Sequence, residues 1–328
     1  MNERVRIALT IGDPSGVGPE LVCRIAGRSD VLGICRPVAV GSRAVFAAVC
    51  GKTGLPLPEE IVDVTPAGCD PAAIRPGRPQ RAGGALAAAA IEHAVRGCLN
   101  GRYAAMVTAP ISKLAIQAAG VPFSGHTEWL AARCGVASPT MLLWSGELAV
   151  ALVTCHQALA SVPGGLSVEG IVTAGRRLAA VLQVLGVPSP RIAVLGLNPH
   201  AGEDGLFGGE ERETIAPACR KLAEAGLDVV GPLPPDTAFV PARRAAFDGW
   251  VAMYHDQGLI PVKTLAFDRA VNVTLGLPIV RTSPDHGTAW DIAWRGLAEQ
   301  ESMLEAVRLA VRLATIAGRT GPLFSGGG

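Results

Sequence analysis

Charge is scarce in this chain. Only 17% of its 328 residues are charged, and the formal net charge is +1. So thin a balance provides no basic field to hold a nucleic acid or an anionic membrane surface. Long apolar runs are missing as well: none reaches the roughly 18 residues that a membrane helix needs. The opening "MNERVRIALTIGDPSG" has a short apolar run stopped by Asp13, too short and wrongly flanked for a secretory signal. The expectation is a soluble, cytoplasmic protein with neither nucleic acid nor membrane among its partners.

Eight cysteines are scattered from Cys23 to Cys219 without a C-x-x-C pair. That pattern argues against a disulfide framework or a local zinc motif, and for small buried hydrophobes in a reducing cytosol. Neither the G-x-G-x-x-G dinucleotide fingerprint nor the G-x-x-x-x-G-K-[ST] phosphate loop occurs. The glycines of "GDPSGVG" (12–18) fit neither spacing and read as a tight strand-to-helix turn. If the protein uses a dinucleotide, it binds it another way.

What is present is apolar and turn-rich: 49% hydrophobic residues, 40 Gly and 25 Pro. That composition suits a compact enzyme, and the length suits two domains. Short runs rich in Val, Ile and Leu (5–12, 104–110, 148–156, 191–200, 227–234 and 249–256) read as strands. Between them lie helical stretches at 83–100, 166–186, 211–225 and 301–317, the last ending at a glycine. The alternation predicts an α/β protein with a largely parallel sheet.

Six histidines are distributed over this pattern, and His93 sits inside a helical run as a packing residue. His156, His200 and His255 each fall at the carboxyl end of a predicted strand, the edge of an open parallel sheet where ligands bind. Imidazole suits a first-row divalent ion. The separations, 44 residues from 156 to 200 and 55 from 200 to 255, match no local zinc motif, so topology has to gather them. Asp13, Thr108, Lys113 and Asp236 are further polar groups at strand ends. In "MYHDQGLIPVK" (253–263) a strand end delivers His255, and Lys263 follows eight residues later. Asp256 either orients the imidazole or relays a proton.

The stretch "TSPDHGTAWDIAWRG" (282–296) resembles the adenosine-binding loop of the β-decarboxylating dehydrogenases, the isocitrate and isopropylmalate group. The resemblance places cofactor binding on His286, Gly287, Thr288, Ala289 and Asp291. An acidic residue five after the histidine implies NAD, because a carboxylate accepts from both ribose hydroxyls and repels a 2′-phosphate. Trp290 replaces the group's Pro, and Trp294 stands where a Gly is usual.

A wider resemblance covers nearly the whole chain. In order and spacing, "ALTIGDPSGVGPE", "VTAPISK", "FSGHTEWLA", "LNPHAGEDGLFGGEE", "GPLPPDT", "AMYHDQGLIPVK" and "VNVTLGLPIVRTSPDHGTA" are similar to the 4-hydroxythreonine-4-phosphate dehydrogenase family. That resemblance implies an isocitrate/isopropylmalate-dehydrogenase-like two-domain α/β fold with an interdomain cleft. A discontinuous dinucleotide-binding domain would take 1–124 plus 270–328, and a metal, substrate and dimerisation domain 125–269. It implies one divalent ion on His156, His200 and His255, zinc first, with magnesium or cobalt as alternatives. Substrate contacts fall on His126, Thr127, Lys263, Asn272 and Arg281, and the catalytic candidates are Lys113 and Asp256. A homodimer is implied, with the active site at the subunit interface and metal ligands not all from one chain.

The implied reaction is NAD-dependent oxidation of 4-phosphooxy-L-threonine to a β-keto acid, which decarboxylates to 3-amino-2-oxopropyl phosphate in pyridoxal phosphate biosynthesis. D-threonate or D-erythronate 4-phosphate is the rival substrate. Dihydrodiols are disfavoured by the retained "GHTE" and "VNV". A phosphate acyltransferase on a related fold is the rival of another class, and it would need neither NAD nor the histidines.

Overall fold

A computed structural model describes residues 4–123 and 125–320. The strands are β1 (Arg6–Thr10), β2 (Arg36–Gly41), β3 (Ile61–Asp63), β4 (Ala105–Thr108), β5 (Thr140–Trp144), β6 (Ala149–Leu152), β7 (Arg191–Leu195), β8 (Asp228–Leu233), β9 (Gly249–Ala252), β10 (Val271–Leu275) and β11 (Arg281–Pro284). They fall into two compact units. One runs to Ala137 and resumes at Leu277; the other is Ser138–Gly276.

In the first unit the strand order is β3-β2-β1-β4-β11. Every pairing is parallel, with Ala8 opposite both Val38 and Met106, and Thr282 opposite Val107. Strands enclosed on both faces read as continuous apolar runs, and "IAL" in β1 is fully buried, as is "VAV" in β2. Helices Gly18–Ala26, Arg43–Thr53, Arg81–Leu99 and Glu301–Thr320 connect and cover these strands. The helix Arg81–Leu99 can lie against Lys113–Ala118 because Gly84 has no side chain. A Cβ there would stand 1.9 Å from the Ala115 carbonyl oxygen.

In the second unit the order is β10-β5-β6-β9-β7-β8. β5 is antiparallel to both β10 and β6, whereas β6, β9, β7 and β8 run parallel. Leu143, Val150, Leu195, Trp250 and Val262 form its core. At about 25 cal/mol per Å² of apolar surface removed from water, each such side chain contributes roughly 1.5–3 kcal/mol. The helix His255–Ala266 packs on this sheet through Gly258, where a Cβ would meet Leu152 at 2.5 Å and Val150 at 3.0 Å. Because β6, β9 and β7 are parallel neighbours, their carboxyl ends share one edge, and the segments bearing His156, His255 and His200 leave from it.

Candidate active site

β9 ends at Ala252, four residues short of the run 249–256, and His255 opens the following helix rather than closing the strand. A buried amide holds this junction. Gln257 accepts from the Met253 N–H through Oε1 and donates through Nε2 to the Gly196 carbonyl, both at 2.7 Å. The β9 exit is thereby tied to the β7 exit. On the other side, the Thr154 N–H and hydroxyl both donate to the Met253 carbonyl, at 3.1 and 2.8 Å. His156 and His255 come together as a result, with ring centroids 5.5 Å apart. They line a cavity of about 390 Å³ with Cys155, Tyr254 and Asp256.

Asp256 Oδ1 lies 2.7 Å from His255 Nδ1. A carboxylate on Nδ1 fixes the tautomer and turns Nε2 outward as a ligand atom, the usual partnership of a metal-binding imidazole. His156 and His255 therefore suit two positions of a divalent-ion site. His200 does not join them, and among the described residues no group of three or more His, Cys, Asp or Glu is gathered to hold a metal within the chain. Asp236 lies nearby, lining an adjoining cavity of about 410 Å³ with Tyr254 and Asp256.

His200 stands on an unusual turn. His200, Ala201, Gly202, Glu203 and Asp204 all have positive φ, from 41° to 83°. For residues bearing a Cβ this conformation costs roughly 1–2 kcal/mol each. The His200 ring is exposed, and its Nδ1 lies 3.0 Å from Glu203 Oε2. The hydrogen bond and negative charge of Glu203 raise the pKa of His200 above its ordinary value.

The first unit handles its polar groups differently. Arg281, at the start of β11, is 3% exposed, and its Nε and Nη2 donate to Thr108 Oγ1 at 3.1 and 2.7 Å. Burial pulls its pKa down to about 9, against the nearby charges of Asp285 and Glu128. His126 begins the helix His126–Cys134. Although the residue as a whole is half-buried, its Nε2 is sealed from solvent and has no hydrogen-bond partner. Burial, with the cations Arg281 and Lys113 close by, drives its pKa well below the ordinary histidine value. Two cations, Arg281 and Lys113, thus lie close to a histidine nitrogen without a partner, an arrangement whose positive charge suits an anion. Thr127 follows His126 on the same helix, half-buried, and Lys113 is exposed at the start of Lys113–Ala118. Lys263 and Asn272 belong to the second unit. Lys263 lies half-buried on the helix His255–Ala266 with its ammonium 5.7 Å from the Phe267 ring, and Asn272 is on β10 opposite Leu143.

The loop 286–296 is buttressed by the segment "GDPSGVGPE". The Val17 N–H donates to the Thr288 carbonyl at 2.9 Å, and Gly16 allows the approach, since a Cβ there would lie 2.5 Å from that oxygen. Buried Asp13 accepts from the Ser15 N–H at 2.9 Å and from Trp290 Nε1 at 3.1 Å. Burial raises its pKa, while those hydrogen bonds oppose the shift. Trp294 has φ +60°, the conformation a glycine would serve. Its ring is anchored by a 3.0 Å bond from Nε1 to the Pro14 carbonyl and by Lys52, 5.2 Å from the centroid. Asp291 is exposed in the turn Trp290–Ile292, and His286 Nε2 is a buried nitrogen without a partner. On one loop, an exposed carboxylate and an imidazole nitrogen without a partner offer the kinds of group that could meet the ribose and base of an adenosine. Gln257, Glu211 and the Asp13–Trp290 contact are the features sequence spacing does not reveal, because each pairs residues with no periodic relation.

A model of the family "Pyridoxal phosphate biosynthetic protein PdxA" matches residues 33–310. The chain is 45% identical to a 4-hydroxythreonine-4-phosphate dehydrogenase of Chromobacterium violaceum, covering 97% of this chain and 100% of the relative. The crystal structure of 4-hydroxythreonine-4-phosphate dehydrogenase from Klebsiella pneumoniae superimposes with a TM-score of 0.82 at 39% identity, over 94% of this chain and 99% of that one. Isocitrate dehydrogenase from Methylococcus capsulatus, at 15% identity and a TM-score of 0.51 over 97% of this chain and 86% of that one, shares the fold alone. The α/β fold is thus of the isocitrate-dehydrogenase type.

Proposed function

The chain belongs to the PdxA family of pyridoxal phosphate biosynthetic proteins, and from that premise we propose that it oxidises 4-phosphooxy-L-threonine with NAD and one divalent metal ion, zinc in the first instance. The β-keto acid formed loses carbon dioxide to give 3-amino-2-oxopropyl phosphate. The observation that carries the reading lies in the first unit, where a buried guanidinium accompanies an imidazole nitrogen with no partner of its own. A site that has already removed a cation from water favours an anionic substrate over a neutral analogue.

Arg281, His126 and Thr127 hold the anionic groups of the substrate, aided by Lys263 and Asn272. Asp256 orients His255 through Nδ1, and His156 and His255 offer their remaining nitrogens to the metal. When bound, the ion supplies Lewis acidity toward a substrate oxygen. NAD is the hydride acceptor, held by His286, Gly287, Thr288, Ala289 and Asp291, the carboxylate of Asp291 selecting a free ribose 2′-hydroxyl over a 2′-phosphate. The hydroxyl proton needs an acceptor. Lys113 and Asp256 are the candidates, and the carboxylate of Asp256 is already committed to His255, which favours Lys113.

Two observations support a homodimer with a shared site. His200 stands apart from the His156–His255 pair, as a ligand offered to another protomer would. Ile260, Phe267, Leu206 and Phe207 are large apolar side chains exposed on, or just after, the helix and turn that carry His255 and His200. Mixing His156→Ala with His200→Ala subunits then regenerates one intact site per heterodimer. No recovery despite demonstrated subunit exchange would exclude sharing.

The substrate is tested by assaying 4-phosphooxy-L-threonine, D-threonate 4-phosphate and D-erythronate 4-phosphate side by side with NAD and zinc. The first should be oxidised fastest. A tenfold advantage for either sugar-acid phosphate would replace it, and no oxidation of any would remove the dehydrogenase reading.

A further inference from the structure

Four of the five left-handed residues that present His200 are not glycine, so the turn gains little from its own composition and needs support from outside. That support is Glu211, which is 5% exposed. Its Oε1 accepts from the backbone N–H groups of Leu197 and Asn198, both at 2.7 Å, and its Oε2 from the Asn198 side-chain amide at 2.9 Å. Glu210 takes the same amide at 2.8 Å. The carboxylate also presses on the turn: a Cβ at Gly202 would stand 2.7 Å from Oε2. Gly196 has a similar constraint, its Cβ meeting the Ala201 Cα at 2.9 Å and Glu211 Oε1 at 3.2 Å. One oxygen thus fixes the chain entering the turn, and the other fills the space inside it.

We infer that Glu211 is a positioning residue, whose buried carboxylate templates the left-handed turn and so sets where His200 is presented. The inference rests on the reading of His200 as a metal ligand, but its geometry does not. A carboxylate is suited to the task because it accepts several N–H donors at once and donates none. An amide of equal size keeps one acceptor oxygen, and a methyl keeps nothing.

The test uses the full-length protein and four variants: Glu211→Ala, Glu211→Gln, Gly202→Ala and His200→Ala. Two quantities are read on each, amide hydrogen exchange over 197–205 and the affinity for zinc by competition with a chromophoric chelator. Exchange in that segment should rise in Glu211→Ala and Gly202→Ala, with Glu211→Gln between them and the wild type. Zinc affinity in Glu211→Ala should fall as far as in His200→Ala, about 10–100-fold. Should Glu211→Ala fail to fold, the Gln and Gly202 variants carry both measurements. Unchanged exchange in the folded Glu211 variants would overturn the inference. So would wild-type zinc affinity in them where His200→Ala is weakened. If His200→Ala itself binds zinc normally, the metal assignment falls, and the exchange measurement still decides whether Glu211 holds the turn.

Discussion

The two units treat the polar side chains of their candidate sites in opposite ways. In the first, Thr108 and Arg281 are sealed in the sheet, and His126 keeps an unpaired nitrogen out of water. In the second, His156 and His200 are exposed, His255 is half-buried, and the backbone under His200 is left-handed over five residues. A site desolvated in advance is costly to maintain without ligand, but it gives discrimination when the ligand arrives. Exposed imidazoles cost little to maintain, and their positions must be imposed by neighbours: Asp256 for His255, Gln257 for the β9 exit, Glu211 for the turn. The first region buries its cation and its histidine nitrogen in advance, and the second holds imidazoles that, among the described residues, do not gather into a group of three.

The sharpest way to break this contrast is to remove the buried cation. Arg281→Met should lower kcat/KM by roughly 10²–10⁴-fold, from the 3–5 kcal/mol that loss of one partner from a buried charged contact costs. Zinc affinity should be unchanged. A substrate analogue without the phosphate should lose far less on the same substitution, which steady-state kinetics with both compounds reads directly. A loss of metal with Arg281→Met would mean that the two regions are not separable.

The nucleotide loop comes next. Asp291→Ala should erase about 1–3 kcal/mol of preference for NAD over NADP, the worth of hydrogen bonds to a charged group. The ratio of kcat/KM for the two nucleotides measures it, and a wild type that prefers NADP would contradict the assignment. Asp256→Asn probes the aimed ligands. An amide presents the wrong group to Nδ1 in one of its two orientations, so zinc affinity should fall about 10–100-fold. Substrate binding in the presence of saturating metal should hardly change.

The smallest effect concerns pH. The folded pKa of His126 lies well below its unfolded value near 6.5, with burial the leading cause. Above that value the residue is neutral in both states and adds no pH dependence. As pH falls below it, the unfolded chain takes up the proton first, so stability declines toward the folded pKa, by at most about 1.4 kcal/mol per pH unit. Denaturant unfolding of wild type and His126→Gln at pH 7 and pH 5, both within that argument, should show a shallower decline in the variant. Parallel declines would mean the imidazole is protonated in the folded protein.

Much of the fold was legible in the sequence. The apolar runs at β1, β4 and β6 to β9 became strands, and the helical periodicities at 83–100, 166–186 and 301–317 became helices. The stretch 211–225 divides into a π-type turn, Glu211–Ile215, before its α-helix, because Glu211 is drawn to the β7 exit. β11 escapes any hydrophobic reading since Arg281, Thr282 and Ser283 are polar yet buried, and a strand so composed breaks the pattern that reveals strands. That three histidines follow neighbouring parallel strands was readable from topology, and two of them meet, but none closes its strand: β6, β7 and β9 end at Leu152, Leu195 and Ala252. The left-handed turn was not readable: left-handed backbone is signalled by glycine, and here His, Ala, Glu and Asp adopt it around a carboxylate from further along the chain.

One measurement bears on the central claim most directly: NADH formation from 4-phosphooxy-L-threonine by protein stripped of metal and then titrated with zinc. The account predicts no turnover in the stripped protein, recovery that saturates at one zinc per site, and carbon dioxide released in step with NADH. Full turnover in excess chelator, or NADH formation that ignores added metal, would contradict it.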